Sequence, residues 1–188
     1  MNEEELVDRL SRVITKHYLI DLIALGESDE IPVAILHHLC YQKGRNPIAF
    51  RAAWILEYVA SRYPHRFMEI FETFIGELPQ QKNFSCLRHF TKILMMITGP
   101  QAPLDYVISY KKINRERLAE VVFNWLINAE TPVAVQANCL DVLYNMSNEL
   151  SWISEELRLQ IEFLLREGSP AIQSRGRKIL AKLERLKL

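Results

Sequence analysis

Two stretches of the chain open alike: NPIAFRAAWILEYV from Asn46 and TPVAVQANCLDVLY from Thr131. Each sets a small polar residue before a proline, then a β-branched residue, an alanine and an apolar run at helical spacing. Asn or Thr followed by proline reads as a helix start, because proline's missing N–H costs nothing at the first helical position. A chain that writes one helix twice, 85 residues apart from Pro47 to Pro132, is constrained toward repetition, since that distance is two units of about 42 residues. A copy must then lie between them, and NFSCLRHFTKIL from Asn83 supplies it, with Arg88 falling 37 residues after Arg51. A fourth copy, SPAIQSRGRKIL, starts at Ser169, its Pro170 lying 38 residues after Pro132.

Apolar residues recur at three and four along most of the chain, as in Phe67, Ile70, Phe71, Phe74 and Ile75, or Leu157, Ile161, Leu164 and Leu165. That is the helical period, not the alternation of a strand. PLDYVISY, Pro103 to Tyr110, is rich in β-formers but isolated, so it reads as a helix or an ordered loop. Breakers such as GESDEIP, GRNP, TGPQAP, NAETP and EGSP punctuate the pattern. They predict helices near 3–25 (one or two), 30–42, 46–62, 65–78, 83–97, 115–128, 132–148, 153–167 and 170–187. Each repeated helix thus follows another apolar helix, and the unit is a helix pair. One pair cannot bury its apolar face alone, whereas stacked pairs share a continuous core.

The composition agrees: 49% hydrophobic residues, 24% charged and only 6 glycines suit packed helices. The 23 basic residues balance 23 acidic ones, so no global field draws the chain to nucleic acid or an anionic membrane. The acidic opening MNEEELVDRL lacks a signal peptide's basic and apolar regions, and the apolar run ILMMI is too short to span a bilayer. A cytoplasmic location and no membrane association are expected. Cys40, Cys86 and Cys139, odd in number and widely spaced in apolar runs, read as reduced and buried.

Pro47, Arg51, Ala52, Ala53 and Leu56, with partial copies at Pro132, Ala137 and Leu140 and at Pro170, Arg175 and Leu180, resemble the pattern of the HEAT-like (armadillo-type) α-solenoid repeat family. The third copy has Gln136 at the arginine position and the second has Phe84 at the proline. The resemblance covers roughly residues 30–188. It implies an all-α fold, a right-handed α-α superhelix of about four HEAT-like helix pairs with an N-terminal capping helix. As a single domain it would comprise a cap over 1–29, pairs over 30–63, 64–98, 115–148 and 152–188, and an insertion over 99–114.

His37 and Cys40 in HHLC lie one turn apart, a two-ligand start for zinc, but no second paired set accompanies them and packed residues are the plainer reading. The nucleophile-elbow, phosphate-loop, dinucleotide and HExxH motifs do not occur. The expectation is therefore a non-enzymatic protein without catalytic residues, metal or cofactor, binding a protein or peptide on its concave face. Candidate contacts are Arg51 and Tyr58 in the first copy, Arg88 and Lys92 in the second, and the stripe Asn138, Asp141, Asn145 and Asn148 in the third; an ordinary solvated face is the alternative. The surplus of the 48-residue gap between Phe84 and Pro132 falls at 99–116. Its Tyr106, Tyr110, Lys111 and Lys112 are expected to project toward a partner, unless the segment is a connector or an extra helix packed over the core. Trp54, Trp125 and Trp152 read as core. A rival reading is a nucleic-acid-binding protein or, by resemblance to HEAT-like alkylpurine DNA glycosylases, an enzyme using Asp141; the zero net charge argues against it.

Overall fold

The computed structural model describes residues 1–12, 16–44 and 46–185, with the side chains of residues 16–19 excepted. Every regular element among them is helical. The helices are α1 (Glu3–Ser11), α2 (Lys16–Glu27), α3 (Val33–Leu39), α4 (Asn46–Arg62), α5 (Pro64–Phe67), α6 (Phe71–Glu77), α7 (Phe84–Thr98), α8 (Leu104–Tyr110), α9 (Arg115–Ile127), α10 (Val133–Met146), α11 (Ser151–Glu167) and α12 (Pro170–Arg185). Short 3₁₀ turns at Met68–Ile70 and Leu78–Gln80 link α5 to α6 and close α6. Among the described residues no helix is long and apolar enough to cross a membrane.

The three proline-opened copies are the second helices of the packed pairs α3–α4, α9–α10 and α11–α12. Asn46, Thr131 and Ser169 stand at or just before the starts of α4, α10 and α12, and Asn83 caps α7 by accepting from the Ser85 amide at 3.0 Å. The acidic N-terminus closes in a capping box, in which Asn2 accepts from the Glu5 amide and the Glu5 carboxylate accepts from the Asn2 amide. The region 3–25 is split into α1 and α2, with residues 13–15 between them outside those described. The C-terminal residues 186–188, where α12 was expected to continue, also lie outside them.

Two compact units divide the chain: Met1–Ile93 with Pro103–Ser109, and Leu94–Ala102 with Tyr110–Leu188. In the first, α4 packs against α1, α2, α3 and α5, and Ala49, Ala52, Ala53, Ile55, Leu56 and Val59 are fully buried. The alanines let neighbouring helices approach closely. An aromatic cluster of Phe67, Phe71, Phe74 and Phe90 fills the same unit, with ring centroids 4.9 to 6.5 Å apart. In the second unit α10 packs against α9, α11 and α12, burying Cys139, Leu140, Val142, Leu143 and Met146. Gly176 sits where a Cβ would lie 2.9 Å from Ile161 Cγ2, so α12 meets α11 through a missing side chain.

Buried arginines tie the first unit's ends together. Arg66 donates through Nη1 to the Gly26 carbonyl at 2.8 Å and through Nη2 to those of Ser28 (2.8 Å) and Ile31 (3.2 Å). These carbonyls lie at and beyond the C-terminus of α2, where helical partners run out. The segment expected to project, 99–114, instead contains α8. Tyr106 is fully buried, its hydroxyl donating to the Ala60 carbonyl at 2.6 Å and its ring against Phe67 and Phe71. Tyr110 is buried too. The expectation that these tyrosines meet a partner is thereby overturned: Tyr106, a phenol with an apolar body and an internal acceptor, gains more from the core than from water, and Tyr110 is held in by its ring, its hydroxyl having no hydrogen-bond partner among the described residues.

Candidate functional site

The structure sorts the predicted contact residues into buried and accessible ones. Arg51 is a correction: only 9% exposed, it donates through Nη1 to the Leu10 carbonyl and so fixes the end of α1 on α4. Tyr58 is half-buried; its hydroxyl donates to Glu27 Oε1 at 3.0 Å and its ring stacks on Trp54 with centroids 6.2 Å apart. That ring lies over Gly26, where a Cβ would meet Tyr58 Cδ1 at 2.6 Å. Trp125 is buried as expected, Trp54 is half-buried, and Trp152 is 40% exposed, against its reading as core. His37 and Cys40 pack inside, with the Cys40 thiol donating to the Leu36 carbonyl at 3.1 Å. All three cysteines are free and buried.

Two polar clusters remain on the second helices, one in each unit. On α4 and α7 of the first, Glu57 holds Lys92 Nζ at 2.9 Å through Oε1 and His89 Nδ1 at 2.6 Å through Oε2. Burial would raise the Glu57 carboxyl, but His89 and Lys92 outweigh it and hold it below the usual carboxylate range. Arg88, a residue before His89, is exposed. The arrangement is a fixed carboxylate that positions a partly exposed ammonium beside an exposed guanidinium, the donor set that suits a carboxylate or phosphate.

On α10 and α12 of the second unit, Asp141 pairs with Arg175 Nη1 at 3.0 Å. Burial raises the Asp141 carboxyl although Arg175 and Lys182 pull the other way. Lys182 Nζ lies 5.1 Å over the Tyr144 ring. Asn145 donates through Nδ2 to Thr98 Oγ1 at 3.2 Å, and Asn138 is half-buried. The fourth member of the stripe, Asn148, lies beyond the end of α10 at Met146 and does not share its face. Lys111 and Lys112 follow α8 and are both exposed. Sequence reasoning missed Glu57, whose signal was that it is the one acidic residue of α4, set among the alanines and apolar residues that the helix buries.

A model of the HEAT repeat domain matches residues 6–183. Searches of the curated proteins and of the solved structures returned no match. With its regular elements all helical among the described residues, with α4, α10 and α12 opening on the repeated motif, and with that match over nearly its whole length, the chain belongs to the HEAT repeat family.

Proposed function

We propose that this HEAT repeat protein is a non-enzymatic module that binds a protein or peptide through side chains of its second helices, with Arg88, Lys92, Asn138, Asp141 and Asn145 as contacts and Lys111 and Lys112 as a further basic element. The observation that carries the reading is the Glu57, His89 and Lys92 cluster with Arg88 beside it. Glu57 holds Lys92 in place before any ligand arrives, which lowers the ordering cost of recognition. Such a surface favours an acidic or phosphorylated stretch. Asn138 and Asn145 would add amides able both to donate and to accept.

The test is charge reversal. Arg88→Glu with Lys92→Glu, and separately Lys111→Glu with Lys112→Glu, are compared with the unaltered protein by quantitative capture from native extract and by thermal melting. A contact site loses captured protein in a salt-dependent way while the melting temperature stays close to that of the parent. Capture unchanged by both pairs would remove these residues from any binding role.

A further inference from the structure

The second unit carries an apolar face that its own core does not use. Ile127 of α9 is 57% exposed, and Trp152 and Phe163 of α11 are 40% and 60% exposed. They line two adjoining hollows of about 400 and 500 Å³ between α9 and α11, with Ile127 and Gln160 forming the wall common to both. Trp152 is steadied there by Phe123, ring centroids 5.6 Å apart. Along α11, Trp152 and Phe163 are separated by about 16 Å at 1.5 Å rise per residue, three turns of a helix.

The charges around this groove have one sign. Among the described residues Glu120, Glu156 and Glu167 line it, together with the neutral Asn124, Gln136 and Gln160, and no lysine or arginine does. Among the described residues none of these three carboxylates has a basic partner. The second hollow also receives the C-terminal ends of α9 at Ile127 and of α11 at Glu167, the negative ends of both helix dipoles. An apolar floor with an acidic border and two negative dipole ends is complementary to an amphipathic, basic ligand.

The described backbone offers no strand edge for a peptide to extend, so recognition falls to side chains, as when an amphipathic helix lies in a groove. We infer that the α9–α11 groove is a docking site for an amphipathic helix of a partner protein, apolar residues at i, i+4, i+7 and i+11 seated on Trp152, Ile127 and Phe163, and lysines or arginines facing Glu120, Glu156 and Glu167. The inference rests on the partner-binding reading above but places a second surface on different helices.

The probe is a fluorescein-labelled peptide of about 15 residues with leucines at those four positions and lysines on the other face, titrated into the full chain by fluorescence anisotropy. Two controls are a twin with every lysine replaced by glutamate and a scrambled lysine peptide of the same composition. The lysine peptide is expected to bind, and both controls at least tenfold more weakly. Phe163→Glu and Ile127→Glu, at positions more than half exposed, are expected to weaken binding about tenfold or more with melting unchanged. Glu156→Lys with Glu167→Lys should weaken it and flatten its salt dependence.

Equal binding of the acidic or scrambled peptide, no binding of the lysine peptide, or indifference to Phe163→Glu overturns the inference. A concentration-dependent dimer that Phe163→Glu disperses would also overturn it, identifying a second copy as the occupant. Arg88→Glu with Lys92→Glu is run alongside and is expected to leave peptide binding intact. If that pair abolishes peptide binding while Phe163→Glu does not, the groove fails and partner binding through α7 stands.

Discussion

Arg66 is the side chain whose removal the fold should feel most sharply. Replacing it by methionine keeps the unbranched stem against the core and deletes the planar fork that three carbonyls share. Two of those bonds, to Gly26 and Ile31, are buried, and the third, to Ser28, is partly so. A hydrogen bond to a charged donor contributes roughly 1.5–3 kcal/mol, and the three are not additive because one rigid group makes them all. The Ser28 carbonyl recovers water, leaving the two buried acceptors to set a loss of about 3 kcal/mol. For a chain of this length each kcal/mol moves the melting temperature by roughly 2–4 °C, so Arg66→Met should melt about 6–12 °C lower. Arg66→Lys, a point donor without the fork, should recover only a minor share of that. Differential scanning calorimetry gives the shift, and hydrogen exchange should accelerate first at the amides from Ser28 to Val33. A methionine variant melting within about 2 °C of the parent would refute the reasoning, since it would show that these carbonyls rewet without cost.

His37 gives a pH prediction. Burial holds its imidazole neutral and lowers its pKa from 6.5 to about 4; the unfolded chain therefore binds the extra proton first, and stability falls as pH drops through that window and is unaffected above it. At about 1.4 kcal/mol per pH unit this amounts to about 3 kcal/mol, so urea titrations should show His37→Phe gaining that much on the parent between pH 7 and pH 4; parallel pH curves would reject it. Gly176→Ala should destabilise by about 1–2 kcal/mol despite alanine's better helix propensity, because the new Cβ meets Ile161 at 2.9 Å, and a higher melting temperature would show that α12 shifts freely. Tyr106→Phe, which strands the Ala60 carbonyl, should cost about 1–2 kcal/mol in denaturant titration; an unchanged midpoint would show the hydroxyl to be dispensable.

The helix starts were legible because their signals are local: a proline and an apolar run suffice to place α4, α10 and α12, even though the Thr131 hydroxyl makes no cap bond at the start of α10. The burial of α8 was not. Tyr106 and Tyr110 occupy one face of that helix and Leu104 and Ile108 another, so both faces are apolar and periodicity cannot choose between them. The fold buries the tyrosines and leaves Leu104 71% exposed, a choice made by the Ala60 carbonyl and the phenylalanines of α5 and α6. Arg51 was misjudged for a similar reason, since its acceptor, Leu10, lies 41 residues away on α1. Lys92 was found, but the carboxylate that positions it comes from the preceding repeat. The groove on α11 had a readable trace: Trp152 and Phe163 fall off the stripe of Ile153, Leu157 and Ile161 that α11 buries. Apolar residues beyond what a core stripe needs were the clue.

The three enclosed thiols make the protein its own stopwatch. Cys40 and Cys86 belong to the first unit and Cys139 to the second, and burial pushes the Cys40 and Cys139 thiols well above their ordinary range. Alkylating reagents attack the thiolate, so modification must wait for the surrounding helices to part. Under native conditions the labelling rate of Cys139 therefore times the opening of α10, and that of Cys40 times the opening of the α3 region. With mass spectrometry resolving the labelled peptides, equal rates would mean the two units open in one event, and unequal rates would rank them, without introducing any probe that the chain does not already carry.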